Sequence, residues 1–322
     1  MNPNPQVSII TPCFNSENYI QRYIDSILAQ NYDNIQLIFV LDGSLDSTDC
    51  LLFKNTAKIT ERGYEFTYIF QQNKGLGGAI NTGLKAVTGD YFTWCDSDNF
   101  YTEDYVSSKV RYFCDNPEYA VVRCNGYVVD ESDIGKPLRL MADGNRDLYN
   151  EHLFENCLLV RNFHFGCAMV RTKDFDRVNP HREIYPSRAG QNWQLLLPMF
   201  YHYKSGYIDK PMFYFVIRQD SISNITQYQG IEKQIDKLDE YERIITNTLN
   251  SMEFEDRDSY LKKVKLKYSR QKFYIYAYAH HNDEALQEYR YLKANGATSL
   301  RLWLVLMRCR SITFDKLVRI LR

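Results

Sequence analysis

The stretch Tyr91–Asn99, YFTWCDSDN, runs apolar and aromatic and then sets two aspartates, Asp96 and Asp98, one residue apart. Crowded carboxylates repel, and each makes the other harder to ionise unless a cation lies between them. Two hard oxygen donors at this spacing suit a divalent ion, Mg2+ or Mn2+, shared with phosphate oxygens. A solvated turn can use the same pair, so its neighbours decide the reading. Three further polar clusters are TPCFN (11–15), LDGSLDST (41–48) and QNKGLGGAINTG (72–83). Asp42 could accept a hydrogen bond from a nucleobase N–H. Gly75, Gly77 and Gly78 allow close backbone approach at a helix start, whose N–H groups favour an anion. Their spacing fits neither a P-loop nor G-x-G-x-x-G.

Each cluster follows an apolar run of strand length. The runs VSIIT (7–11), IQLIFVLD (35–42), EFTYIF (65–70) and DYFTWC (90–95) alternate with helical spacing over 16–31, after GSLDST, from Gly75 and over 103–114; YAVVRCNGYVV (119–129) follows. Doubly apolar strands alternating with helices predict an α/β fold, a mainly parallel sheet covered on both faces. Ligands bind such sheets beyond the carboxyl ends of the strands, where these four clusters fall. Residues 131–160 read as a polar, loop-rich segment. Strands are expected at 164–171 and 206–218 with a helix near 191–203 between them, and long helical periodicity then occupies 230–250, 256–279 and 283–294.

Composition is that of a globular protein, with 44% hydrophobic and 25% charged residues among 322 and a formal net charge of -1, which offers nothing global to nucleic acid. The 26 tyrosines suit stacking on sugars or bases as well as a tyrosine-rich core. Eight scattered cysteines form no C-x-x-C pair and no zinc pattern. Without a basic-then-apolar leader or an apolar run of membrane-spanning length, a cytoplasmic location is expected. The stretch 301–322 carries six basic residues and one acidic residue among Leu, Val, Trp and Phe. It reads as a terminal helix packed on the protein or as a basic helix at the inner face of an anionic membrane.

In order and spacing, VSIITPCFN, FVLDGSLDST, NKGLGGAINTG and DSD resemble the family-2 inverting glycosyltransferases of the GT-A fold, closely over 6–130 and loosely to about 220. Asn73, Gly75, Ala79, Asn81 and Gly83 match that family's Asn-x-Gly-x-x-x-Ala-x-Asn-x-Gly element. The resemblance implies a nucleoside-diphosphate-sugar donor, here a UDP-sugar, and a glycan or lipid-linked acceptor, in surface polysaccharide or glycolipid synthesis. It implies that Pro12, Phe14 and Asn15 line the nucleoside pocket with Asp42 near the base. Asn73 to Gly78 would lie near base and ribose, Asp96 near the ribose or donor sugar, and Asp98 on the metal. A GT-A domain is expected over 1–228, with a nucleotide-sugar half (1–130) and an acceptor half (131–228), followed by a helical region over 229–322.

Two positions depart from the family. Its usual base is the aspartate of a Glu-Asp pair opening an acceptor-side helix, and AGQNWQLLLP (189–198) has Gln191 and Asn192 there. An amide is no base near neutral pH. The base is then Asp220, His164, Asp130 or Glu183, or proton loss is assisted by the donor phosphate, or the protein is a nucleotide-sugar-binding subunit acting with a partner. Gln191, Asn192 and Trp193, with His164, form a candidate acceptor site, though Trp193, Leu196 and Leu197 also suit burial of a helix. In FVIRQDSIS (215–223), Arg218 stands where the family often has a metal-reaching His. Arginine can hold diphosphate oxygens bidentately. A sugar nucleotidyltransferase would need a Gly-rich basic loop after the first strand, which TPCFNSENY lacks.

Overall fold

The computed structural model describes residues 4–145, 148–159, 165, 167–218 and 230–310. The chain divides into two compact units, Met1–Arg218 and Gln219–Arg322. In the first, β1 (Val7–Cys13), α1 (Ile20–Leu28), β2 (Ile35–Asp42), α2 (Thr48–Lys54), α3 (Thr56–Glu61), β3 (Glu65–Gln71), α4 (Gly75–Lys85) and β4 (Tyr91–Trp94) alternate. There follow β5 (Phe100–Tyr101), α5 (Tyr105–Asp115), β6 (Tyr119–Asp130), β7 (Asp133–Leu140), α6 (Phe154–Leu159), β8 (Met169–Arg171), α7 (Thr172–Val178), α8 (Gln191–His202) and β9 (Lys204–Ile217).

These strands form one sheet in the order β3-β2-β1-β4-β8-β6-β9-β5, with β7 paired to β6. β1 is parallel to both β2 and β4, and β2 to β3. The chain steps outward from β1 to β3 and then returns to lay β4 on β1's other side, which makes the carboxyl ends of β1 and β4 the switch point of the sheet. β1 and β2 are buried along their whole length, which explains why they read as unbroken apolar runs rather than alternating ones. α1 buries Ile20, Tyr23, Ile24 and Ile27, one face at helical spacing.

Beyond β4 the sheet is mixed: β8 runs antiparallel to β4 and β6, β5 antiparallel to β9, and β9 parallel to β6. Here the sequence reading needs correcting. The expected loop over 131–160 contains β7 and α6. β7 is exposed along nearly its whole length and pairs only with β6, so no buried face imposes an apolar alternation. Of the strand expected over 164–171 only Met169–Arg171 is strand, running directly into α7; residues 160–164 and 166 lie outside the described residues. α1 starts at Ile20 rather than near 16.

The second unit is helical: α9 (Gly230–Ser251), α10 (Arg257–Tyr278), α11 (Asn282–Ala294) and α12 (Leu300–Arg310). α10 packs against α9, α11 and α12. Leu302, Leu306 and Cys309 of α12 join a core with Phe273, Ala277, Ala285 and Leu292, so the apolar side of this basic stretch packs on its own unit. Residues 311–322 lie outside the described residues. No helix among the described residues is long and apolar enough to cross a membrane.

Candidate active site

Hydrogen bonds tie the loops at the switch point together. Ser16, after β1, donates its backbone N–H to Thr48 Oγ1 (2.7 Å), and its hydroxyl meets Ser97 Oγ at 2.6 Å. Asn15 Oδ1 accepts from Leu45 N–H (2.9 Å). Ser16, next to the first cluster, therefore joins two others through buried bonds, and Asn15 adds an exposed link between the first and the second. Asp42, only 3% exposed, takes Gln71 Nε2–H (2.5 Å) and Lys74 N–H (2.8 Å) on one carboxylate oxygen, which fastens the fourth cluster to β2.

α4 carries the Asn81 and glycine pattern for a packing reason. Gly77 N–H donates to the Ser187 carbonyl (2.8 Å), and a Cβ at Gly77 would meet Ser187 N at 2.7 Å. Asn81 pairs with the Ile184 backbone in both directions, donating from Nδ2 (2.8 Å) and accepting on Oδ1 (2.7 Å). Segment 184–187 is thus clamped to α4, and Gln194 of α8 holds its other side through Tyr185 O and Ser187 Oγ, both 3.1 Å. The Asn73–Gly83 motif thus also helps to place α8.

Asp96 and Asp98 lie just past β4. Arg218, at the end of β9, pairs with Asp98 (Nη2–Oδ2 2.9 Å) and stacks over Tyr19, its Cζ 4.3 Å from the ring centre. Arg22 donates to the Asp98 carbonyl (2.8 Å), and Asn99 Oδ1 takes Val216 N–H (3.0 Å), which fixes the end of β9 against this loop. Burial, then the charge of Asp98, pushes the Asp96 carboxyl up to about 7, with Arg218 opposing. Burial also raises Asp98 against the pull of Arg218. Negative charge is costly here until a further cation arrives.

A cavity of about 640 Å³ opens beside Asp96. Trp94, Gln191, Asn192 and Phe215 line it, together with Arg139 near the end of β7 and Asp143 and Asn145 from the turn after it. Trp94 Nε1–H donates to Asn192 Oδ1 (2.8 Å), joining the end of β4 to the start of α8. Of the residues singled out from sequence, the cavity brings together Asp96, Gln191 and Asn192, with Asp98 and Arg218 adjoining through their ion pair. Pro12, Phe14, Asn15, Asp42, Asn73, Gly75 and Gly78 lie around the ends of β1 to β3 and the start of α4 and do not line it. Trp193 meets Phe165 edge-on, 5.5 Å between centres, and is not in the lining. Asp130 bonds Ser132 (2.9 and 2.5 Å) and Glu183 pairs with Lys85 (2.6 Å) on the surface, both away from the cavity. His164 and Asp220 lie outside the described residues. Sequence reasoning missed Trp94, Arg139 and Asp143. Only Trp94 carried a signal, as an aromatic next to the paired aspartates.

A sequence model of the family described as Glycosyl transferase family 2 matches residues 8–178, more than half of the chain. The chain belongs to glycosyl transferase family 2. Among the relatives of this family 2 chain is the glycosyltransferase GlyA of Streptococcus pneumoniae, 26% identical over 254 residues, covering 75% of this chain and 35% of the relative. An uncharacterized glycosyltransferase of Rickettsia typhi is 35% identical over 130 residues, 40% of this chain and 38% of its own. The chain thus spans little more than a third of the length of these curated relatives. Among solved structures, S. aureus TarS 1-349 in complex with UDP-GlcNAc aligns with a TM-score of 0.64 at 16% identity, covering 96% of this chain and 88% of that one. The mannosyltransferase PcManGT of Pyrobaculum calidifontis, in complex with GDP-Man and Mn2+, aligns at 0.56 and 14% identity over 95% and 80%. At these identities the family 2 chain shares their GT-A-like fold.

Proposed function

We propose that this family 2 chain transfers a sugar from a UDP-sugar to an acceptor hydroxyl with inversion, in surface polysaccharide or glycolipid synthesis. The observation that supports it best is the Asp98–Arg218 pair beside Asp96 at the switch point, next to a cavity that Asp96 lines together with the amides of Gln191 and Asn192. A single displacement by the acceptor hydroxyl then inverts the anomeric carbon. The nucleotide-sugar half is assigned to 1–130, the acceptor half to 131–228, and Pro12, Phe14, Asn15, Asp42 and Asn73 to Gly78 to the nucleoside. TarS with UDP-GlcNAc, on the same fold, favours UDP.

Mn2+ or Mg2+ fits the residues present. Two carboxyls held reluctant to ionise, one residue apart, become favourable once a divalent ion lies against Asp98. Among the described residues no three His, Cys, Asp or Glu groups converge, so such an ion would draw most ligands from diphosphate and water, as Mg2+ does. When bound, the ion offsets charge on the departing diphosphate. The chain's own part is Arg218 on diphosphate oxygens, Asp96 on the ribose or donor sugar, and Gln191 and Asn192 on the acceptor.

A thermal-shift screen of UDP, UDP-GlcNAc, UDP-glucose and GDP-mannose with Mn2+ tests this reading, since a ligand of the folded state raises Tm. UDP compounds are expected to shift Tm upward and GDP-mannose less; no shift with any of them would contradict the donor assignment. The amide at Asn192 favours a second reading, a nucleotide-sugar-binding subunit acting with a partner; UDP binding with no release of UDP from any donor would select it. Membrane contact is proposed for the basic stretch from 301, where Arg301, Trp303 and Leu304 are exposed on α12; sedimentation with phosphatidylglycerol vesicles but not phosphatidylcholine ones would support it.

A further inference from the structure

We propose that Asp143 is the general base that takes the proton of the attacking hydroxyl. This rests on the cavity being a sugar-transfer site. Such a transfer needs a proton acceptor within reach of the acceptor hydroxyl, and the start of α8 offers only amides, with Asn192 Oδ1 already accepting from Trp94. Among the described residues two carboxylates line the cavity, Asp96 and Asp143. Asp96 lies just past β4, two residues from Asp98, and is assigned to the ribose or donor sugar. Asp143 comes from a different element, the turn after β7.

That turn is built, though its sequence is polar and loop-like. Asp143 N–H reaches the Leu140 carbonyl (3.4 Å) while its Oδ2 takes the Leu140 N–H (3.0 Å), and Asn145 N–H closes on Ala142 O (3.0 Å). Beneath it, Met141 N–H donates to Gly126 O (2.8 Å), and Ala142 N–H donates to Oδ1 of Asn125, which is 3% exposed. Asn125 sits where β6 shifts register against β9, an irregularity that frees its amide to hold a neighbouring loop. Arg123, 1% exposed, donates to Leu148 O (2.7 Å) just beyond. Two buried polar side chains of β6 thus pin the chain at Ala142 and Leu148, and Asp143 between them is an exposed residue.

The step balances without a further reactant. An acceptor oxygen lone pair forms the new bond to the anomeric carbon. The bond from that carbon to the diphosphate oxygen breaks, and its electron pair leaves with UDP. The hydroxyl proton passes to the Asp143 carboxylate, which returns it to water.

The test measures UDP release from UDP-GlcNAc, UDP-glucose and UDP-galactose with Mn2+, using water and octyl β-glucoside as acceptors, alongside UDP binding by thermal shift. Asp143→Asn keeps an oxygen for the Leu140 N–H, so the turn is retained. It is expected to lower kcat by about 10²–10⁴-fold with UDP binding unchanged, and Asp143→Glu to retain more turnover than Asp143→Asn. A loss of tenfold or less in Asp143→Asn overturns the assignment, as does a loss matched by lost UDP binding. Wild-type protein that binds UDP but releases none overturns it too. Wild-type protein that binds no UDP removes the reading of the cavity itself, and the thermal shift registers that failure separately.

Discussion

Asp96 is where the site's electrostatics can be measured without any substrate. Its carboxyl is pushed from 3.8 to about 7, first by burial and then by Asp98. Between those pH values the folded chain keeps a proton that the unfolded chain releases, so stability falls as pH rises from about 4 to about 7. With metal removed by chelator, Asp96→Asn is therefore expected to melt above wild type at pH 8 and level with it at pH 4. Equal melting at pH 8 would show that the two aspartates are not in conflict. Arg218 answers part of that conflict through Asp98, and its planar fork suits diphosphate better than an ammonium does. Arg218→Lys is expected to weaken UDP binding about tenfold in a titration (about 1.4 kcal/mol) while leaving the fold unchanged; unchanged affinity would place Arg218 outside the donor site.

At the scale of elements, the frame of the site depends on the α4 clamp on segment 184–187. Asn81→Ala removes two hydrogen bonds and strands the Ile184 N–H and C=O, each bond contributing about 0.5–1.5 kcal/mol. A loss of about 1–3 kcal/mol in urea unfolding is expected, together with slower turnover because α8 is held through the same segment. A loss below 0.5 kcal/mol would contradict the clamp. Much of the β1–β4 half was readable in sequence because parallel strands buried on both faces leave unbroken apolar runs, and the polar residues at their ends stand out against them. Within the glycine pattern, Gly77 is required by its close approach to Ser187, which the sequence alone does not show. The elements over 131–171 were read poorly. β7 buries no face, its pairing with β6 is non-local, and the turn bearing Asp143 is set by Asn125 and Arg123, residues 17–25 positions earlier whose role no local pattern reveals. Asn192→Asp is a check on the base assignment: with the base on the β7 turn, turnover stays level or falls, and a large gain would return the base to α8.

For the whole molecule, the family, the sheet order and the loops at the switch point agree on one centre, while the helical unit carries its own core around Phe273, Leu292 and Leu306. The chain's activity as a transferase is decided by release of UDP from a UDP-sugar with and without Mn2+, in wild type and in Asp98→Ala of unchanged circular dichroism. Release that requires Mn2+ in wild type and vanishes in Asp98→Ala is the expected result. Undiminished release by Asp98→Ala would contradict the account at its centre.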